Sequence, residues 1–294
     1  MSFSSEVKAE LCKTPFALDC CSAAEAYGAL LYGNTFSARE IRVITASVDF
    51  AERLPKLFRK AFSLGFDEIA DKGSDSKRSF IIRDPQKISA IYASFGFDAE
   101  TALSHHINLG VLEESCCKNS FVRGAFLAGG SIISPEKGYH LELVTAHKSV
   151  ASEMYSILLE MNFEPKDATR NANHITYFKQ SEMIEDLFTL IGAPVSAMEI
   201  MNAKVEKDMR NAINRRVNCD SANADKIVNA ALEQLEAIRR LNLSELPEKL
   251  HETALLRIAN PDASLTDLAQ LSDPPVTKSC LSHRLRKLMQ LASE

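Results

Sequence analysis

Two pairs of adjacent cysteines, Cys20-Cys21 and Cys116-Cys117, offer a set of side chains that could hold a metal ion. Four thiolates are a preferred ligand set for Zn²⁺, and the pairs stand at equivalent places in a duplicated sequence. Vicinal cysteines rarely aim at one ion, however, and cysteine is among the most buried residue types. Small core residues are therefore the favoured reading, and neither metal nor cofactor is assigned. A second set is basic and hydroxylic. Lys278, Ser279, Ser282, His283, Arg284, Arg286 and Lys287 lie in a stretch, Thr277 to Ser293, that contains no acid, which suits contacts to phosphates and base edges. The same chemistry recurs in Arg210, Asn211, Asn214, Arg215 and Arg216; the alternative there is a solvated helix whose cations balance Glu206 and Asp208. His283 has no cysteine or carboxylate at a fixed spacing, so a surface or DNA-facing position is favoured over a ligand or a catalytic base.

The elements that position these residues begin with a repeat. Cys20-Cys21-Ser-Ala-Ala-Glu-Ala-Tyr-Gly28-Ala-Leu-Leu-Tyr-Gly33 returns as Cys116-Cys117-Lys-Asn-Ser-Phe-Val-Arg-Gly124-Ala-Phe-Leu-Ala-Gly129, and at the same offset Ile88 and Gly96 answer to Ile184 and Gly192. So long a period is a duplicated domain and predicts two lobes related by a pseudo-two-fold axis. In each copy a helix rich in small residues (22–32; 118–128) precedes strand-like alternation (40–46; 140–146). An amphipathic helix (50–64; 150–161), a further strand (79–83; 175–179) and a closing helix follow. The order α-β-β-α-β-α, twice, makes an α+β unit with its sheet covered on one face. Gly28 and Gly124 fall inside helices, at a cost of about 1 kcal/mol each relative to Ala. Close packing of the two repeat helices would offset it.

Beyond the repeat, Val205, Met209, Ala212, Ile213 and Val217 recur at helical spacing, and a second helix over 223–240 is expected to bury Ile227, Ala231, Leu235 and Ile238. A helix after Leu246-Pro247 has the stripe Leu250, Ala254, Leu255 and Ile258. Ser264-Leu-Thr-Asp267 reads as a capping box, opening a short helix that Pro274-Pro275 end. The last helix turns Leu281, Leu285, Leu288 and Ala292 inward. Short helix, tight turn and basic helix together read as a helix-turn-helix whose recognition helix comes last.

Net charge is −5 over 294 residues, so no global basicity advertises nucleic acid. Its distribution says more: residues 1–203 hold 20 Lys and Arg against 26 Asp and Glu, while 204–294 hold 14 against 13. No apolar run approaches the roughly 18 residues of a membrane helix, and the N-terminal residues lack a signal-peptide core. A cytoplasmic, nucleoid-associated protein with reduced thiols is expected.

Val122-Arg-Gly124-Ala-Phe-Leu-Ala-Gly129-Gly130-Ser131-Ile132, followed by Tyr139-His-Leu-Glu-Leu143, resembles the motif of LAGLIDADG homing endonucleases. The resemblance implies two such helices at a lobe interface, each ending in an acid that shares a metal site. Aligned on Gly28 and Gly124, the acid positions fall at Gly33 and Gly129, which have no side chain; Glu136 and Glu142 are the nearby acids. Adding Ser2-Phe-Ser-Ser-Glu-Val-Lys8, the run from Asp208 to Cys219, Ala222-Asn223, Leu246-Pro-Glu-Lys-Leu250 and Ser282-His-Arg-Leu-Arg-Lys-Leu288, nearly the whole chain is similar to the WhiA family. It departs in being shorter between Asp67 and Ser79 and in its Gly33-Asn34 ending. The resemblance implies a duplicated, catalytically inactive LAGLIDADG-like domain, then an all-α helix-turn-helix domain. The expected divisions are 1–108 and 109–203 for the lobes, 204–221 for a linker helix and 222–294 for the DNA-binding domain. It further implies a non-enzymatic transcriptional regulator linked to sporulation, cell division and chromosome segregation, with double-stranded DNA as partner and no membrane. A residual metal-dependent endonuclease is one rival reading. Another is a platform for a regulatory protein on the acidic lobes, with DNA as a tether.

Overall fold

The computed structural model describes residues 2–16, 18–72, 77–101 and 104–293. The chain divides into two compact units, residues 1–207 and 208–294.

The first unit is built on two helices of small residues, α2 (Asp19–Leu31) and α5 (Ser115–Gly129), preceded by α1 (Phe3–Leu11). After α2 the chain forms β1 (Thr35–Phe36), β2 (Ile41–Thr45), α3 (Val48–Phe62), β3 (Glu68–Lys72), β4 (Lys77–Ile82) and α4 (Pro85–Ser94). After α5 it repeats the plan with β5 (Gly130–Ile132), β6 (Leu141–Thr145), α6 (Lys148–Glu160), β7 (Lys166–Arg170), β8 (Asn173–Phe178) and α7 (Ser181–Ile191). Both sheets are antiparallel, with strand orders β1-β2-β4-β3 and β5-β6-β8-β7. The duplication thus holds in topology as well as in sequence. Alternation in β2 and β6 sends Ile41, Val43, Leu141 and Leu143 inward.

Each copy carries one strand more than expected. β3 and β7 escape sequence reading because they are edge strands whose residues, Glu-Ile-Ala-Asp-Lys and Lys-Asp-Ala-Thr-Arg, lack apolar alternation; every residue of β7 is exposed. Charge on an edge strand deters pairing with other chains. Of the shortened segment between Asp67 and Ser79, residues 73–76 lie outside the described residues.

Helices α2 and α5 touch backbone to backbone. A Cβ added to Gly28 would stand 2.1 Å from the Phe121 carbonyl oxygen, and one on Gly124 would stand 1.9 Å from that of Glu25. The two contacts are reciprocal, as a pseudo-two-fold requires. Around them Tyr27, Phe95, Phe121, Phe126 and Phe188 join one core that runs through both copies. Beside the crossing, Glu25 is buried with two guanidinium groups. Arg53 donates to both its oxygens (2.6 and 2.9 Å) and Arg123 to one (2.9 Å). Arg53 also donates to the Cys12 and Thr14 carbonyls, and Arg123 to that of Ile191 and to Ser120 Oγ. Every member of this ion pair is satisfied, the condition under which a buried charge is tolerable.

α8 (Pro194–Arg240) is one unbroken helix of 47 residues, not two. Nothing between Cys219 and Asn223 breaks it, since no Gly or Pro occurs there. Glu10 caps its start, accepting from the backbone N–H groups of Val195 and Ser196. Ala231 and Ile238 are buried as expected, whereas Ile227 is 42% exposed.

In the second unit α9 (Glu248–Ala259), α10 (Leu265–Leu271) and α11 (Lys278–Leu291) enclose Ile238, Leu250, Ala254, Leu268, Leu281, Leu285 and Leu288. The inward face of α9 is Leu250, Thr253, Ala254 and Arg257; the expected Leu255 and Ile258 are 47% and 45% exposed. Arg257 is drawn in because its Nη1 donates to the Ala263 carbonyl (2.7 Å), fixing the turn ahead of α10. The capping box Ser264–Asp267 forms as expected.

Gly124→Ala is expected to destabilise the first unit by about 3 kcal/mol or more, because its methyl would overlap the Glu25 carbonyl. Gly65→Ala, facing open space, should leave the denaturation midpoint nearly unchanged. A second expectation concerns acid. Burial and the neighbouring His105 ring draw His147 down to about 4, so the folded state favours a neutral imidazole while the unfolded chain protonates near ~6.5. The stability this contributes is present above that pH and is lost as pH falls toward 4. His147→Gln should flatten the fall in melting temperature across that window.

Candidate nucleic-acid interface

The C-terminal ends of α2 and α5 are where a LAGLIDADG-type scaffold would present its acids. Gly129 closes α5, and a Cβ there would meet the Val144 carbonyl at 2.6 Å and that of Tyr32 at 2.9 Å. One on Gly33 would meet the Ala29 carbonyl at 3.0 Å. Helix-end carbonyls are instead satisfied by donors. Thr145 Oγ1 donates to Leu31 (3.0 Å), and Lys8 Nζ to Leu127 (3.1 Å). Burial draws the Lys8 ammonium down to about 8. Of the nearby acids, Glu136 is exposed, and Glu142 is occupied by Arg170 (3.2 Å) and His140 (3.5 Å). Glu25 is held between its two arginines. Among the described residues, these helix ends offer carbonyls and an ammonium in place of a carboxylate pair.

The second unit presents the opposite chemistry. Thr277 accepts from the Cys280 backbone N–H and so opens α11. Its register is set by Leu281, Leu285 and Leu288, each 1% exposed or less. Helical geometry then turns Ser279, Ser282, His283, Arg286 and Lys287 to the opposite face, with Lys278 beside them in the first turn. Lys278, Ser279, His283, Arg286 and Lys287 are exposed and Ser282 half-buried. Among the described residues none of these cations has a carboxylate partner.

Arg284 departs from the set. It lines a cleft of about 660 Å³ with Lys249, Leu255, Leu256, Leu271, Pro274 and Val276. Sequence reading missed this cleft because its walls come from α9 and from the turn ahead of α11, and because Leu255, which lines it, was assigned to the inward stripe of α9. On α8, Arg210, Asn211, Asn214, Arg215 and Arg216 are all exposed. Spacing by three and four residues puts Arg210, Asn211, Asn214, Arg215 and Asn218 on one face. Arg216 falls on the other side, beside Ala212 and Ile213. That side is an exposed apolar stripe: Val205, Met209, Ile213 and Val217 are 58%, 62%, 61% and 55% exposed. Among the described residues no helix is long and apolar enough to cross a membrane.

Residues 118–210 match the family described as the WhiA LAGLIDADG-like domain, and residues 213–292 the WhiA C-terminal HTH domain. The "Probable cell division protein WhiA" of Ruminiclostridium cellulolyticum is 39% identical, over 99% of this chain and 97% of its own length. That of Clostridium botulinum is 34% identical, over 100% and 98%. The fold is similar to the crystal structure of full-length DUF199/WhiA from Thermotoga maritima, with a TM-score of 0.63 and 24% identity, covering 100% of this chain and 98% of that one. A LAGLIDADG-like α+β domain followed by a helical domain is the architecture expected from sequence.

Gly129→Asp restores an acid to one helix end only by driving its Cβ into the Val144 carbonyl. The variant is expected to lose about 1–3 kcal/mol of stability and to leave plasmid DNA uncut in Mg²⁺, as denaturation and a nicking assay would register.

Proposed function

The chain belongs to the WhiA family, and on that premise we propose that it is a transcriptional regulator that binds double-stranded DNA through α11. The acid-free polar face of that helix carries the reading. It stands at the end of a short-helix, turn, helix arrangement, and its first turn offers hydroxyls and a cation. Hydroxyls and cations suit groove entry, and on this helix no carboxylate opposes the phosphates. In this reading Lys278, Ser279, Ser282, His283 and Arg286 contact bases or phosphates, and Lys287 neutralises backbone charge. Arg284 serves the backbone from the flank. Arg210, Asn211, Asn214 and Arg215 supply a second contact, with Arg216 at its edge.

The functional division proposed is 1–108 and 109–203 for the lobes, 204–221 for the linker and 222–294 for DNA binding. The lobes serve as a scaffold and not as a nuclease, which the closed glycine ends of α2 and α5 support. Their net negative charge favours contact with a regulatory protein over a grip on a polyanion. The relatives' name, "Probable cell division protein WhiA", supports a place in cell division; sporulation and chromosome segregation are finer assignments within the same proposal. A cytoplasmic, nucleoid-associated location follows from DNA as the partner.

Arg286→Ala combined with Lys287→Ala is expected to weaken binding to cognate DNA and to reduce the slope of log K against log salt by about one to two units. An unchanged affinity and slope in a salt titration would remove α11 from the interface.

A further inference from the structure

The four cysteines of the repeated pairs converge. The Sγ atoms of Cys20, Cys21, Cys116 and Cys117 all lie within 4.8 Å of one another. They occupy the first turns of α2 and α5, the helices locked together farther along by Gly28 and Gly124. Cys21 and Cys117 are buried, Cys116 is half-buried, Cys20 is exposed, and none is in a disulfide. That is not the burial pattern of four small core residues. We propose that these thiols form a binding site for a single tetrahedral cation of the zinc class, which clips the two copies of the repeat together at the N-terminal ends of their central helices.

Distance and donor set agree. Tetrahedral coordination at about 2.3 Å per Zn–S bond places sulfurs roughly 3.8 Å apart, and small side-chain rotations from the present cluster reach that spacing. Adjacent cysteines are a poor ligand pair when one loop must supply all four sulfurs. Here each helix supplies two and the pseudo-two-fold brings the other two, so the usual spacing rule does not apply. An all-sulfur set selects a soft or borderline cation over Mg²⁺ or Ca²⁺. Both helices begin without a side-chain cap, at Leu18 and Glu114, so two positive helix ends face the sulfurs and favour thiolate.

Without a cation, burial pushes the Cys21 and Cys117 thiols up, and the neighbouring thiols reinforce it. Binding would release the four thiol protons and leave a tetrathiolate complex of net charge −2. One turn along α5 from Cys116 and Cys117, the Ser120 hydroxyl accepts from Arg123 Nη2 at 2.9 Å. The site therefore adjoins the Glu25 ion pair, where a supporting shell for a metal site would lie. Exposure of Cys20 gives the ion a way in.

The test uses the full chain, purified under reducing conditions without chelator. About one equivalent of zinc per chain is expected by elemental analysis, released when a mercurial titrates the thiols. After chelation, added Co²⁺ should give sulfur-to-cobalt charge-transfer bands and the strong visible bands of a tetrahedral site. Cys21→Ser and Cys117→Ser should each lose them, while the double variant Cys219→Ser, Cys280→Ser keeps them. Should the first two fail to fold, differential alkylation of the wild-type chain decides: zinc must protect Cys20, Cys21, Cys116 and Cys117 but not Cys219 or Cys280. A chain reconstituted with zinc that retains less than about a tenth of an equivalent overturns the proposal. So does a featureless cobalt spectrum, an iron chromophore, or a disulfide between the copies in reduced protein.

Discussion

Everything in the first unit depends on two helices that meet through bare backbone. At Gly28 and Gly124 each helix presses on a carbonyl of the other, at separations no Cβ could share. That proximity lets two four-stranded sheets drain into a single core, so that neither copy has to bury its apolar face alone. It also settles what each end of the helix pair can do. At the C-terminal ends the chain closes around Gly129, and Thr145 and Lys8 satisfy helix-end carbonyls. At the N-terminal ends four thiols are brought within reach of one another. One packing constraint thus leaves no room for acids at one end and gathers sulfur at the other.

The charge buried beside that contact fits the same logic. Removing one carboxylate and two guanidinium groups from water is expensive, and replacing such a triad by apolar residues of similar volume is often neutral or better for stability. What the triad supplies here is connection. Arg53 reaches the carbonyls that follow α1, and Arg123 reaches the end of α7. Glu25 therefore ties elements of both copies to the interface in one arrangement. No carboxylate oxygen of this group is left to coordinate an ion.

Much of this was legible in the sequence, and what was not has physical reasons. The repeat located α2 and α5, and the unusual placing of Gly28 and Gly124 inside helices forecast their contact. The leucines of α11 and the capping box of α10 read directly, because periodicity and capping are local. Strands β3 and β7 did not, since edge strands carry charge where buried strands carry alternation. The single long α8 was read as two helices because the stretch from Asn218 to Lys226 has no large aliphatic residue to continue the apolar stripe, although no breaking residue interrupts it. On α9 a buried arginine took a core position that hydropathy would assign to Leu255 or Ile258; only the carbonyl it serves explains this. Within the candidate site the outward face of α11 followed from its leucines. The cleft holding Arg284 depends on how α9 and the turn ahead of α11 face each other and was not visible in residue types, whereas the place of Arg216 on the apolar side of α8 is contained in its helical spacing. The meeting of the thiols is non-local as well: adjacency within each pair argued against a shared ion, and only the crossing of the helices reverses that argument.

In the division of labour proposed above, the duplicated lobes hold shape while the outward face of α11 meets DNA. Hydrogen–deuterium exchange on the full chain, with and without a cognate duplex, tests it most directly. Slowed exchange is expected in peptides spanning Lys278–Leu291 and none around Gly33 or Gly129–Ile132. Protection confined to those glycine-rich helix ends, with α11 unaffected, would contradict it.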